Sequence, residues 1–244
     1  MPSFGDSGKL LQDISGRSND AELLGRTSIP KVTIRRGVKS ILMDGNSDAY
    51  RVNNVGDFSP RKMSFCAWVS DYGSVVGTKD IGGVWRSGKR CWLLRNVNGY
   101  PKFYTSPDGS TINVNSTSDL IPFPEFTNIC CVHDGTTAKI FQDGKLTASY
   151  SAPYDLFDSQ TEMCIAAILF SDRNSPLSGY TWGGFISQQL FYNRALSPTE
   201  IKQLYANPAA PFLRKQQTVG LSTAAVVPSA NFNPFSVLTH PLEQ

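Results

Sequence analysis

An Asp-Gly pair, Asp143-Gly144, stands between two alternating runs in residues 128–150, NICCVHDGTTAKIFQDGKLTASY. A type I′ reversal needs positive φ at both central positions, and Asp-Gly is among the few pairs that supply it without strain. Before the turn, Ala138, Ile140 and Gln142 alternate with Lys139, Phe141 and Asp143. A period of two is that of a strand, since successive side chains point to opposite faces. The segment reads as two antiparallel strands with a short connection, then a second, tight reversal. The rest of the chain reads as strands packing around this unit.

Residues 63–70, MSFCAWVS, alternate as cleanly, with Met63, Phe65, Ala67 and Val69 on one face and Ser64, Cys66, Trp68 and Ser70 on the other. Trp and Cys on the second face predict a strand covered on both sides, central in a sandwich. Residues 91–95, 101–104, the apolar run 162–170 and the stretch 184–192 read as further strands. Residues 41–52 read as an apolar strand, a turn at Asp44-Gly45 and a return strand. Ile81-Gly82-Gly83-Val84 reads as a flexible loop; it is no dinucleotide loop, because no GxGxxG follows a strand and opens a helix. One helix is expected. Ser197 is its N-cap, Pro198 sits at N1, Glu200 completes a capping box, and Ile201, Leu204 and Tyr205 form its apolar stripe.

Composition excludes several classes. A net charge of +3 is too small to argue for nucleic acid. The basic stretch 31–39, with Arg35 and Arg36 adjacent, reads as a solvated strand edge, where cations discourage unwanted pairing. No apolar run approaches the roughly 20 residues that span a bilayer. The N-terminus lacks a basic region followed by an apolar one, so no signal peptide is expected. The cysteines, Cys66, Cys91, Cys130, Cys131 and Cys164, form no CxxC pair and read as small buried hydrophobes in a reducing compartment. With His133 and His240 the only histidines, zinc is not expected.

From residue 207 onward the charges nearly vanish, leaving Arg214, Lys215 and Glu243, while prolines recur among Phe212, Phe232 and Phe235. This is an arm and not a domain, and an extended arm laid on a neighbouring subunit accounts for it. Its anchoring residues are taken as Phe212, Leu221, Phe232, Phe235 and Leu238.

Sugars stack on aromatic faces, so the candidate ligand-binding residues are aromatics in or beside loops: Trp85, Tyr104, Tyr180 and Trp182. Trp68 and Trp92 lie in strands and read as core. Asp44 and Asp48 bracket a turn; they suit either a calcium ion, which prefers carboxylate oxygens, or an Asx turn that satisfies local backbone N–H groups. Catalysis is not expected. The five glutamates form no ExDxxE array of the kind glycosidases use, and His133 reads as a satisfied strand histidine.

Taken in order, several segments resemble the laminin G-like family of concanavalin A-type jelly rolls. The resemblance rests on the Asp13-Ile14-Ser15-Gly16-Arg17-Ser18-Asn19 turn, the Asp44-Gly45 turn, Ala67-Trp68-Val69, the hairpin at 132–146, and the closing strand and helix through Tyr205. It covers about residues 9–206. It implies a sandwich of two antiparallel sheets with one short C-terminal helix, and carbohydrate or protein binding near a rim, often beside calcium; Asp13 joins Asp44 and Asp48 as a possible calcium ligand. The last strand carries Ser187-Gln188-Gln189 where the family commonly has acidic residues. The junction Leu204-Tyr205-Ala206-Asn207-Pro208, followed by Pro211-Phe212, is similar to that of many tailed-bacteriophage virion proteins.

The expectation is therefore a jelly-roll domain over residues 1–206 and an extended arm over 207–244. The expected role is a non-enzymatic virion component, decorating a capsid or sitting on a tail, made in the bacterial cytoplasm. Its partners would be copies of itself and other virion proteins, with cell-surface glycan as a further ligand. A carbohydrate-binding module or host-surface adhesin is the alternative. Calcium is the one cofactor left open, and neither nucleic acid nor membrane insertion is expected.

Overall fold

The computed structural model describes residues 9–24, 30–35, 38–54, 56–71, 77–122, 125–169, 175–177, 179–208 and 237–239. Two eight-stranded layers face each other. The first sheet contains β1 (Leu10–Leu11), β2 (Ala21–Leu23), β5 (Tyr50–Val52), β7 (Thr78–Val84), β8 (Trp92–Val97), β9 (Tyr100–Thr105), β10 (Asn113–Ser116) and β14 (Met163–Ile165). Its order is β1-β2-β5-β14-β7-β8-β9-β10. The second contains β3 (Lys31–Arg35), β4 (Val38–Asp44), β6 (Met63–Asp71), β11 (Thr127–His133), β12 (Thr137–Gln142), β13 (Lys145–Ser151) and β15 (Gly183–Tyr192), in the order β13-β12-β11-β6-β15-β4-β3. A short strand, β16 (Val237–Thr239), pairs with β15 in parallel; the other strand pairs are antiparallel. The chain is thus a two-sheet antiparallel sandwich with one helix, α1 (Pro198–Ala206), among the described residues.

The central hairpin forms as its residues dictate. Asp143 and Gly144 both take positive φ, 51° and 76°, between β12 and β13. Asp143 also accepts the Asn128 N–H at 2.9 Å, tying the turn to the start of β11. β6 is central, flanked by β11 and β15. Met63, Phe65, Ala67 and Val69 enter the main core between the sheets, while Cys66 and Trp68 face a second cluster under α1. α1 has the expected Ser197–Glu200 capping box. Its Ile201 and Leu204 are buried, whereas Tyr205 is 43% exposed and lies against the Asp143-Gly144 turn instead of the core.

Four local expectations change. Residues 41–52 are not a hairpin: β4 pairs with β3 and β15 in one sheet, and β5 with β2 and β14 in the other, so the Asp44-Gly45 turn carries the chain across the sandwich. Gly82-Gly83 is not a loop but the middle of β7. A Cβ on Gly82 would lie 2.9 Å from the Phe65 ring, and one on Gly83 2.7 Å from the Trp92 carbonyl, so both glycines permit close packing. The run from Glu162 is buried through Leu169, yet only Met163–Ile165 is strand, because Ala166 turns to φ 67°.

The cysteines are the fourth. Cys66 and Cys130 are register partners on β6 and β11 and form a disulfide, so these two are not the reduced thiols expected from the sequence. Alternation brings them to one face, under α1, where no periodicity argument looks for a pair. Cys91, Cys131 and Cys164 are free and buried.

The arm is described only at β16. Residues 237–239 run beside Gln189–Phe191 of the chain's own β15. Phe212, Leu221, Phe232 and Phe235 lie outside the described residues; Leu238 is the register partner of Leu190.

Candidate functional site

The site is built from the alternation of β7, β8 and β9. Trp92, Leu94 and Phe103 point into the core between the sheets. Their neighbours Leu93, Arg95 and Tyr104 must then project from the opposite, outward face. The register sets Leu93 beside Tyr104 and Arg95 beside Asp80 and Lys102, so one face gathers cations and rings from three strands.

Asp80 is fully buried at the floor. Arg95 grips it with two prongs, Nε donating to Oδ1 at 2.5 Å and Nη2 to Oδ2 at 3.2 Å. Burial pushes the Asp80 carboxyl up to about 6, although Arg95 and the Ile168 N–H favour its ionised form. The Asp80 backbone N–H donates to the Tyr180 carbonyl at 2.7 Å, which places the Tyr180 loop over the strand.

The Arg95 guanidinium carbon lies 4.7 Å from the Tyr180 ring centroid and 5.3 Å from that of Tyr104. Tyr104 meets Trp85 edge to face at 5.9 Å, and Arg90 lies over Trp85 at 5.9 Å. The result is a ladder of rings and cations: Tyr180, Arg95, Tyr104, Trp85, Arg90. Cation–π contact fixes the orientation of the rings. Tyr104 and Tyr180 are half-buried, and Trp85 is 9% exposed.

Three of the four aromatics singled out in the sequence therefore converge. Trp182 does not: it is fully buried in the main core, on the opposite side of the sheet from Tyr180. Thr181 makes only an isolated parallel bridge to Asp80, with Tyr180 and Trp182 on either side of it outside any regular strand, so the two rings, which an unbroken strand would put on one face, part company. Sequence reasoning missed Asp80, Arg95 and Arg90. One signal was legible: an arginine closing the apolar run CWLLR has to share a face with Leu93.

The carboxyls beside the ladder are engaged. Asp80 is held by Arg95, while Glu162 accepts from the Thr161 hydroxyl and faces Arg86 at 3.8 Å. The arrangement can stack a ring and donate hydrogen bonds. Among the described residues, both of these carboxyls have partners.

The acidic turns do not fit a calcium ion. Asp44 accepts the N–H groups of Asn46, Ser47 and Asp48 at 2.8, 2.9 and 3.0 Å, and Asp48 accepts the Asp44 N–H at 2.8 Å. Burial opposes ionisation of Asp44, but these donors outweigh it and hold its carboxyl below the usual range. Asp13 caps its own turn, accepting from Ser15 and Asn19, in the first sheet's N-terminal segment. These oxygens are directed at N–H donors, the arrangement of an Asx turn. Among the described residues, no three metal-ligating side chains come together.

A laminin G-type family model described as the Concanavalin A-like lectin/glucanases superfamily matches residues 44–202. No curated protein matches the sequence. Among solved structures, the chain is similar to domain 4 of AbnA, a GH43 extracellular arabinanase from Geobacillus stearothermophilus, in complex with arabinotriose. The TM-score is 0.61 at 17% identity, over 81% of this chain and 98% of that one. It is similar to a native heptameric SAP-like pentraxin from Limulus polyphemus, with TM-score 0.58 and 13% identity over 72% and 84%. The binding domain of Botulinum neurotoxin DC in complex with SialylT gives 0.57 and 12% over 81% of this chain and 50% of that one, so this chain spans half the length of that domain.

Proposed function

This chain belongs to the concanavalin A-like lectin/glucanases superfamily, and from that premise we propose that it is a non-catalytic domain that binds carbohydrate on the outward face of its first sheet. The observation that carries the reading is the ladder, in which Arg95 is sandwiched by Tyr104 and Tyr180. The low-polarity faces of a pyranose stack on such rings, and its hydroxyls take the neighbouring donors. The similar AbnA domain was solved with arabinotriose, which supports a sugar ligand for this sandwich. The test is glycan binding by the Tyr104→Ala, Tyr180→Ala double variant, with folding checked by circular dichroism. A loss of at least tenfold is expected. Unchanged binding by a folded variant overturns the reading.

A second reading concerns where the domain is displayed. We propose a bacteriophage virion component, made in the bacterial cytoplasm and held to copies of itself and to other virion proteins by residues 207–244. It is supported by the low charge and recurrent proline of that segment. The Cys66–Cys130 bond fits closure of the disulfide after release from a reducing compartment. Truncation after Asn207 is expected to leave a folded domain that no longer joins particles; a truncated chain that still does so removes the reading.

A further inference from the structure

β15 is lined along one edge by β6 over nearly its whole length. Its other edge is divided. β4 pairs only with Gly183–Ile186, and beyond Ile186 the register of β15 against β6 carries an irregularity, between Ile186 and Gln189. The hydroxyl of Ser187 reaches the Lys39 carbonyl at 3.2 Å. Beyond it, Gln189, Leu190 and Phe191 are 4%, 0% and 0% exposed, and β16 supplies the strand beside them.

Backbone N–H and C=O groups on a strand edge need partners, and along Gln189–Phe191 it is β16 that pairs with this edge. The donor leaves from the same place. The Gln188 side chain donates to the Pro208 carbonyl at 3.0 Å, and Val237 pairs with the adjacent Gln189. The described ends of the connection, Pro208 and Val237, therefore lie beside neighbouring positions on one strand. A pairing of three residues is a small return for closing so long a connection. Extended at about 3.3 Å per residue, that connection reaches on the order of 90 Å, enough to reach the same edge on another molecule.

We propose that Val237–Thr239 is exchanged between copies of this chain, each filling the Gln189–Phe191 edge of another copy's β15. Every backbone bond made within one chain is reproduced between two, and only the connection changes. Reciprocal exchange closes a two-fold pair, and one-way donation builds a ring. The inference deepens the arm reading above by naming the partner as a second copy and the receptor as a specific strand edge.

The test mixes two full-length single variants, Leu238→Cys and Leu190→Cys, which are register partners. A disulfide between them can form only across two molecules. A cross-linked dimer on a non-reducing gel is expected from the mixture and not from either variant alone. Because Leu190 is buried, light scattering on the unaltered chain and on Leu238→Pro gives a second readout: an oligomer is expected to fall to monomer mass with its circular dichroism unchanged. A mixture that does not cross-link although both variants fold, or an unaltered chain that stays monomeric at high concentration, overturns the exchange. The arm reading itself fails separately, on a truncated chain that still joins particles.

Discussion

Arg95 holds the fully buried Asp80 through two nitrogen–oxygen contacts while its guanidinium lies between the rings of Tyr104 and Tyr180. One side chain thus offsets part of the desolvation of a buried acid and sets the spacing of two candidate ligand-binding rings. Arg95→Ala leaves a charge-bearing group unpaired at the sheet floor, and is expected to cost about 3 kcal/mol of stability. Asp80→Asn with Arg95→Met is expected to recover most of that while losing glycan binding. Urea unfolding of both proteins is the check; a cost under about 1 kcal/mol for Arg95→Ala shows that the pair is not structural.

His133 predicts a pH dependence. Its ring is buried beside Tyr154, its Nδ1 accepts the Gly135 N–H, and burial pushes its pKa down to about 4. In the unfolded chain it titrates near its ordinary 6.5. The unfolded state therefore binds the proton first, and the stability is present above pH 6.5 and lost as pH falls towards 4. Asp80 acts in the opposite sense, because its folded pKa is raised to about 6 and folding takes up a proton between there and 3.8. Comparison with His133→Asn separates the two. The unaltered protein should lose stability more steeply than the variant between pH 6.5 and 4, and equal slopes would show that His133 titrates alike in both states.

Gly83 predicts a packing cost. A Cβ there would meet the Trp92 carbonyl at 2.7 Å and the Leu93 Cα at 2.9 Å, both backbone and unable to swing aside. Gly83→Ala is expected to destabilise by about 2 kcal/mol and to disturb the adjacent Leu93–Tyr104 row, lowering glycan affinity as well. Gly82→Ala meets a side-chain ring instead and is expected to cost less. Thermal melts of the two variants decide the order.

The helix start predicts a smaller effect. Ser197 and Glu200 cap each other reciprocally, and the Arg194 guanidinium on Glu200 is the main cause holding that carboxyl down to about 2. Ser197→Ala is expected to cost about 1 kcal/mol. The Glu200 contribution is present above pH 4.5 and lost as pH falls towards 2. An acid titration of Glu200→Gln should be flatter than that of the unaltered chain in that window.

What the sequence determined by itself lies within a few residues of its cause. The Asp143-Gly144 reversal follows from which residues tolerate positive φ, the α1 cap from Ser197 and Glu200, and the two faces of β6 from alternation. The aromatics of the candidate site were visible as residue types near loops. Tertiary structure alone decided which of them meet. Tyr180 and Trp182 are two residues apart, a spacing that a regular strand would put on one face, yet one ring meets Arg95 in the ladder and the other is buried in the core. The same holds for β4 and β5, which any local reading pairs and the fold assigns to different sheets, and for Cys66 and Cys130, 64 residues apart and joined across a register. Turns and caps are decided by local sterics and hydrogen bonds. Sheet membership is decided by which apolar faces can be buried together, a competition among segments distant in the chain.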